Sequence, residues 1–177
     1  MAILPEGRPV SDDDISRGAM DSAYFLATPG VFRTMKGTIR RGRDFSDQDT
    51  ASTPWVALIN ETGARRFWPG EDPIGKRFTV DAVSGERPRE IVGVVRDIPL
   101  RYVGAFPQPV IYTSYLQQAE TYHGAFANMF GHMTFLIRSS GDPLAQIEPI
   151  QRVLSEVEPD CLVDGEHAES HLGHNPE

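Results

Sequence analysis

The sequence has little cysteine, and positive charge is in deficit. The single cysteine, Cys161, excludes an internal disulfide, and its apolar neighbours Leu162 and Val163 favour a buried structural thiol. The 17 basic and 25 acidic side chains give a net charge of −8, which argues against nucleic acid as a partner because phosphate binding needs a basic surface. A local basic run, residues 33–43, is expected to be a solvated face.

Long apolar runs are also missing, so no membrane-spanning segment is predicted. The longest uncharged stretches, 102–119 and 121–137, carry prolines, glycines, glutamines or histidines, whereas a spanning helix needs about 20 mostly apolar residues. The first six residues lack the basic segment and the long apolar core of a signal peptide. We therefore expect this chain by itself to be soluble and monomeric.

Catalytic motifs are absent from the sequence as well. It contains no Gly-x-Ser-x-Gly, no paired cysteines and no His-Glu-x-x-His. Residues 70–76 have the spacing of a phosphate-binding loop, but Pro73 lacks an amide N–H and Glu71 and Asp72 would repel phosphate. Arg77 also stands where a magnesium-binding Ser or Thr is needed. We predict no catalytic residue, no cofactor and no enzymatic activity, so any ATP hydrolysis belongs to another polypeptide or domain.

Two polar clusters could suggest a metal ion. The first consists of His167, His171 and His174. On a helix these histidines could hold zinc or nickel, but nearby glycines and a proline favour a mobile tail. The second consists of Asp44, Asp47 and Asp49. It lacks the glycine and the distal glutamate of a calcium-binding loop, so these aspartates are expected to cap a turn. No metal site is predicted.

Residues 56–78, VALINETGARRFWPGEDPIGKRF, are the most informative stretch. The apolar run 56–59 predicts a buried strand, and Asn60 is a suitable N-cap because its side-chain oxygen can accept a free backbone N–H. Pro69 and Gly70 end the short helix that follows. The segment predicts a strand, a helix and a turn into another strand, and it contains no reactive group.

On both sides of residues 56–78, the hydrophobic pattern predicts a β-α-β unit. The first has a strand over 19–27, a helix capped by Thr28 and ended by Gly37, and a strand over 38–41. The second has a strand over 133–138, a helix capped by Asp142, and a strand over 161–163. An apolar stripe marks that helix, at Leu144, Ile147, Ile150, Leu154 and Val157. Pro149 predicts a kink or a restart within it.

Between the two units the pattern predicts a β-rich insertion. Its strands are expected near 55–59, 76–82, 89–97 and 109–115, with a hairpin turn within 80–89. The fold class is therefore α+β, with two β-α-β halves and an inserted β-rich lobe. Within this part, 122–130 is rich in aromatic and methionine side chains, which fits a partner-binding patch or a segment packed under the inserted lobe equally well.

Further motifs flank residues 56–78 in a fixed order: 28–35, 41–45, 90–97, 109–112 and 135–143. Together they span about residues 19–165 and resemble the periplasmic core domain of MacB-like and FtsX-like ABC transporter permeases. The resemblance implies a porter-like lobe from 18–41 and 131–165 and a sabre-like insertion over 42–130. The residues outside these ranges predict a polar lead-in over 1–17 and a tail over 166–177.

The same resemblance implies a non-catalytic domain on the periplasmic face of the inner membrane. Such a domain relays conformational change to substrate or to a periplasmic partner in export or efflux. Its implied partners are the transmembrane helices of the permease, a cytoplasmic ATPase and a periplasmic adaptor protein. The residues expected to matter are structural and fix turns and packing: Gly42, Phe45, Asn60, Pro73, Gly75 and Gly93.

Two other hypotheses remain open. One is a freestanding domain that binds a small molecule in the cleft between two lobes, lined by Trp55, Arg96, Tyr102, Tyr112 and Tyr115. The other is a structural adaptor whose acidic surface binds a basic protein and releases it at high salt.

Overall fold

The computed structural model describes residues 1–81, 87–98, 108–118 and 135–157. It divides into two compact units, Met1–Leu136 and Ile137–Glu177. The elements of the first unit are β1 (Ile3–Pro5), α1 (Asp12–Ser16), β2 (Ala23–Ala27), α2 (Val31–Thr34), β3 (Ile39–Gly42), β4 (Val56–Asn60), α3 (Glu61–Phe67), β5 (Arg77–Val80), β6 (Arg89–Val95) and β7 (Val110–Ser114). In the described part of the chain, no helix is both long and apolar enough to cross a bilayer.

The strands of the first unit form one mixed sheet in the order β1-β5-β6-β4-β7-β2, with β3 paired to β6. Strand β4 runs parallel to β6 and antiparallel to β7, and β2 runs parallel to β7. All five residues of β4 are buried. A central strand with both faces covered favours apolar residues at consecutive positions, which explains the continuous run Val-Ala-Leu-Ile before the polar Asn60.

Two apolar clusters cover the two faces of the sheet. Ala57 and Ile59 belong to one cluster, together with Phe67 and Trp68 from α3 and the turn after it. The alternate residues Val56 and Leu58 belong to the other, together with Phe32 of α2 and Phe45. The separation follows from the period of two along a strand, and it confirms that 56–59 is a buried strand.

The two ends of the strand order meet at one point. Ala2, just before β1, forms an antiparallel bridge with Asp21, just before β2. The Ile3 N–H donates to the Met20 carbonyl and the Ser22 N–H donates to the Met1 carbonyl, both at 2.9 Å. The bridge therefore covers part of the two edges that an open sheet would expose.

Several sequence-based predictions of local structure need correction. Residues 1–17 were expected to be a polar lead-in, but they contain β1, which pairs with β5 and buries Ile3 fully. The apolar run around Ile3 is too short to show the period of a strand. The strand expected from residue 19 begins at Ala23. Thr28 does not cap α2, whose N-cap is Gly30 in the left-handed conformation, with no side-chain hydrogen bond.

The second unit is described through residue 157. The strand predicted over 133–138 is wrong for residues 135–138, of which 135 and 136 end the first unit and 137 and 138 begin the second. These residues form no strand and are exposed, because no neighbouring strand pairs with them in the described part of the chain. The Asp142 carboxylate accepts the Leu144 N–H at 3.0 Å, but the N-cap of the turn that begins at Leu144 is Pro143, not Asp142 as predicted.

The helical segment of the second unit changes from a 3-10 turn to an α-helix just before Pro149. A 3-10 turn, Leu144–Gln146, precedes α4 (Ile147–Val157). Pro149 thus lies in the first turn of α4, where a missing N–H costs little, so the predicted restart is confirmed. None of the residues of α4 is buried.

The α+β fold class is confirmed by the mixed sheet with few helices. The division into porter-like and sabre-like lobes stays a prediction, and β2 and β3 lie in the same sheet as the strands of the predicted insertion. Some predictions lie wholly or mostly outside the described residues: the hairpin turn, the 122–130 patch, the 161–163 strand, the Cys161 environment and the histidine tail.

Candidate functional site: the polar junction at the end of β4

Asn60 joins three elements at the end of β4. Its Oδ1 accepts the Gly63 N–H of α3 at 2.8 Å and the Val110 N–H of β7 at 2.9 Å. Its Nδ2 donates to the Gln108 carbonyl at 2.7 Å. The predicted N-cap role is therefore confirmed, and the same buried side chain also fixes the start of β7.

Asp97, just after β6, holds the other side of the same helix start. Its carboxylate accepts the Thr62 N–H at 2.9 Å and the Thr62 Oγ1 hydroxyl at 2.7 Å, and lies 3.3 Å from Arg65 Nη2. The carboxylate of Glu61 accepts the Asp97 N–H and lies 3.5 Å from Arg40 Nε on β3. The ends of β4 and β6, the beginning of α3, and β3 are thus joined by one polar network.

An open groove of about 230 Å³ lies beside this network. Its lining is half apolar and glycine and half charged, the charged side chains being three arginines with Glu61 and Glu71. Each of its three arginines already has a carboxylate partner, in the pairs Arg40–Glu61, Arg41–Asp72 and Arg65–Asp97. Because these cations are compensated, the groove is not built as an anion site.

The residues of the phosphate-loop-like segment are engaged with one another. Lys76 Nζ donates to the Glu71 carboxylate at 2.5 Å, and Asp72 Oδ1 accepts the Ile74 N–H at 3.0 Å. Gly75 has φ of +80°, so its left-handed conformation shapes the turn into β5. The segment is a turn stabilised by its own charges.

Backbone contact between β3 and β6 explains two of the predicted structural glycines. Gly42 has φ of +72°, and a Cβ at this position would lie 2.1 Å from the Val92 carbonyl oxygen. A Cβ on Gly93 would lie 2.3 Å from the Arg43 carbonyl oxygen. Only glycine allows this approach without displacing a strand.

Gln117 is a hub that the sequence analysis missed. This fully buried side chain accepts the Val56 N–H through Oε1 at 2.8 Å. Its Nε2 donates to the carbonyls of Thr50 and Pro54 at 3.0 and 3.1 Å, and to Thr53 Oγ1 at 3.2 Å. The segment after β7 is thereby tied to the loop that enters β4. A glutamine in a polar stretch shows no pattern from which this role could be inferred.

Arg89 was missed for the same reason. Its side chain is fully buried, its guanidinium carbon lies 4.4 Å from the centroid of the Trp55 ring, and its Nη1 donates to the Gln117 carbonyl at 3.1 Å. Stacking on an aromatic face stabilises a desolvated cation. Arg89 and Trp55 therefore help to hold the backbone of Gln117 in place.

The loop after β3 is held by Asp49. Its carboxylate accepts both Nη1 and Nη2 of Arg43 at 2.8 Å, and the Ser46 N–H at 2.8 Å. Burial by itself would raise the pKa of Asp49, but the hydrogen bonds from Arg43 and Ser46 outweigh it and lower the pKa below its usual value. The predicted turn-capping role is confirmed for Asp49, and Asp44 likewise accepts the Phe45 N–H.

Three of the five predicted basic-face residues form ion pairs. Arg40, Arg41 and Arg43 contact Glu61, Asp72 and Asp49 respectively. All five residues of the run are exposed, so the expected solvated face is confirmed, and the three ion pairs lie on it: Arg33, Lys36, Arg40, Arg41 and Arg43.

The residues suggested for a small-molecule cleft do not converge. Trp55 lies at the entry to β4, whereas Arg96 follows the end of the parallel strand β6, about 20 Å away at the other end of the sheet. Tyr112 is buried against Phe32, with ring centroids 4.9 Å apart, whereas Tyr115 is half exposed. These four residues cannot line one cleft, and Tyr102 lies outside the described residues.

The chemistry available to these groups is limited. Burial, with the nearby charge of Asp97, raises the pKa of Tyr112 to about 12, so this hydroxyl stays protonated and cannot act as a base near neutral pH. Within residues 1–81, 87–98, 108–118 and 135–157, no group of three or more His, Cys, Asp or Glu side chains could hold a metal ion. What the junction does well is to keep strands, helix and loops in fixed positions.

Comparison with known proteins identifies the family. The model of the MacB-like periplasmic core domain matches residues 5–151. No curated protein matches this sequence significantly.

Solved structures share the fold. The periplasmic region of MacB from Actinobacillus actinomycetemcomitans has a TM-score of 0.56 at 13% identity, over 88% of this chain and 62% of that one. A domain assigned to a permease protein from Porphyromonas gingivalis has a TM-score of 0.54 at 16% identity, over 90% of this chain and 65% of that one.

The extracellular domain of the noncanonic ABC-type transporter YknZ from Gram-positive bacteria has a TM-score of 0.53 at 16% identity, over 90% of this chain and 72% of that one. The chain thus spans less than two thirds of the first two structures, and at such low identity all three likenesses concern the fold alone. The family match is independent of them and covers most of the sequence. This chain belongs to the family of MacB-like periplasmic core domains.

Proposed function

We propose that this chain is a non-catalytic extracytoplasmic domain of an ABC-type permease, and that it relays movement of flanking membrane helices to substrate or to a periplasmic partner in export. The observation that carries the proposal is the family match over residues 5–151. ATP hydrolysis belongs to a separate cytoplasmic ATPase, and the lysine of the phosphate-loop-like segment is paired with Glu71.

A relay must move as a body rather than deform, and the polar junction supports that role. Asn60 fixes β4, α3 and β7 to one another, and Asp97 fixes β6 to the same helix. Buried hydrogen bonds in a close-packed interior resist small displacements, since each lost bond costs about 1–3 kcal/mol. Displacement of any one of these strands therefore carries the others with it.

The complete reading frame around this segment tests the proposal. We expect hydrophobic spans beside the domain and a gene for an ABC-type ATPase either fused or adjacent. A frame that closes on both sides without a hydrophobic span would overturn the assignment to a permease.

A thermal-shift screen of this domain against small metabolites separates the relay from the ligand-binding hypothesis. We expect no compound class to raise the melting temperature, because the residues suggested for a cleft lie apart. Reproducible stabilisation by one class, abolished by a substitution in the groove beside α3 such as Arg65→Gln, would favour a ligand-binding domain instead.

A further inference from the structure

The bridge between Ala2 and Asp21 is a short seam, which we define as residues 1–3 and 20–22. Across it, the Ile3 N–H donates to the Met20 carbonyl and the Ser22 N–H to the Met1 carbonyl. The amine of Met1 also donates to the Ser22 carbonyl at 3.5 Å and lies 4.0 Å from the exposed Asp21 carboxylate, and both of these contacts are long. By contrast, β4 and β6 are paired at five positions in the interior of the sheet. The seam is thus a joint with few hydrogen bonds.

Side chains close the seam on its inner side. Ala2, Ile3 and Met20 are buried in the same apolar cluster as Phe67 of α3. Opening the seam would expose these side chains to water, so the closed state is favoured at rest. The cost is local, because the other strands keep their own partners.

Arg66 of α3 fastens the seam from outside. Its Nη2 donates to the Gly18 carbonyl at 2.7 Å and its Nε donates to the Ala19 carbonyl at 3.0 Å, immediately before Met20. Gly18 has φ of +66° and lies against the Asp21 carboxylate, so the turn that Arg66 grips leads directly into the seam. Charge-assisted hydrogen bonds of this kind are the stronger class.

We propose that the seam is a latch, which opens as a unit while the rest of the sheet stays folded, and that Arg66 holds it shut. Its purpose, to let the edge at β1 yield to movement while the strands joined at Asn60 and Asp97 move as one body, rests on the proposed function. The latch itself is a property of this domain and is measured without the transporter, so failure of the latch and failure of the proposed function give different results.

Hydrogen exchange of single amides in the isolated chain tests the latch. In the native protein the Ile3 and Ser22 amides should exchange faster than the most protected amides of β4 and β6. Arg66→Gln should raise exchange at Ile3 and Ser22 about tenfold and leave β4 and β6 unchanged, since it removes two hydrogen bonds worth on the order of a factor of ten together.

Arg65→Gln is the matched control. It neighbours Arg66 on α3 and is also exposed, but it contacts Asp97 and not the seam. We expect it to leave exchange at Ile3 and Ser22 unchanged. Equal effects of the two substitutions, or native exchange at the seam as slow as in β4 and β6, would overturn the proposal.

A disulfide across the seam provides a second test that does not weaken the fold. Ala2 and Asp21 form a pair not directly hydrogen-bonded, and Cα atoms in such antiparallel pairs lie about 4.5 Å apart, within disulfide range. Ala2→Cys with Asp21→Cys, in a Cys161→Ser background, should slow seam exchange to the rate of β4 and β6 when oxidised. The proposal is wrong if oxidised and reduced forms exchange alike at the seam.

Discussion

Gly42 and Val92 lie so close that the backbone of β3 leaves no room for a side chain against β6. A Cβ on Gly42 would be 2.1 Å from the Val92 carbonyl oxygen, and φ at Gly42 is +72°. Gly75 has a similar φ of +80°, but no atom lies within 4 Å of the position of its Cβ. The two glycines therefore separate the cost of a left-handed backbone from the cost of a steric clash.

Replacing Gly42 with alanine should lower the free energy of unfolding by about 3 kcal/mol or more, since the clash adds to the conformational cost. Gly75→Ala should cost only about 1 kcal/mol, for the positive φ alone. Denaturant unfolding of both variants provides the comparison. Equal losses would show that β3 can move away from β6 freely.

Asn60→Ala should destabilise the domain by about 2–4 kcal/mol. It leaves the buried amides of Gly63 and Val110 without an acceptor and removes a donor to Gln108. Thr62→Ala is the comparison at the same helix start, where the partner Asp97 is less deeply buried, and we expect a loss of about 1 kcal/mol. A loss at Asn60 no larger than at Thr62 would contradict the role of Asn60 as the joint of three elements.

Gln117→Ala should cost about 2–3 kcal/mol, because the Val56 N–H and three acceptors in the loop before β4 lose their partner. Exposed Gln48→Ala is the control and should change the unfolding free energy by less than about 0.5 kcal/mol. Chemical denaturation monitored by the fluorescence of Trp55 and Trp68 measures both variants. Similar small effects would mean that the loop is held by other contacts.

The ion pair between Arg43 and Asp49 should make the free energy of unfolding depend on pH in the acid range. The folded-state pKa of Asp49 lies below its usual value of 3.8, so this contribution is fully present above about pH 3.8 and is lost as the pH falls through the folded pKa. At neutral pH, Asp49→Asn should cost about 2 kcal/mol. The difference from the native protein should shrink as the pH falls below 3.8, and a difference independent of pH would contradict the ion-pair assignment.

The elements that rest on local chemistry were predictable. Residues 56–59 alternate between two buried clusters, Asn60 accepts the amide it was expected to accept, and Pro149 lies where a restart was expected. The predicted glycines at 42, 75 and 93 also have the geometry or the close contacts that require them. For the cap, the restart and the turn at Gly75 the cause lies within a few residues of the effect, whereas Gly42 and Gly93 are required by contacts between β6 and the chain at β3, which are distant in sequence.

Other features could not be predicted because their partners are distant in sequence. Gln117 bonds to residues more than sixty positions away, and Ile3 is buried by a sheet formed from later strands. Thr28 has the composition of a cap, yet Gly30 begins α2 in its place. Local propensity is overruled when long-range packing decides where the chain turns.

The amino-acid sequence by itself determined the α+β class, the central apolar strand, the caps and turns of the 56–78 segment and the resemblance to a permease domain, because periodicity, proline, glycine and polar caps act over short distances. Only the tertiary structure decided which strands neighbour one another, that Ala2 meets Asp21, and that Arg89 and Gln117 are buried. Those outcomes depend on which remote groups can satisfy each other's hydrogen bonds and exclude water together, and no local pattern records that choice.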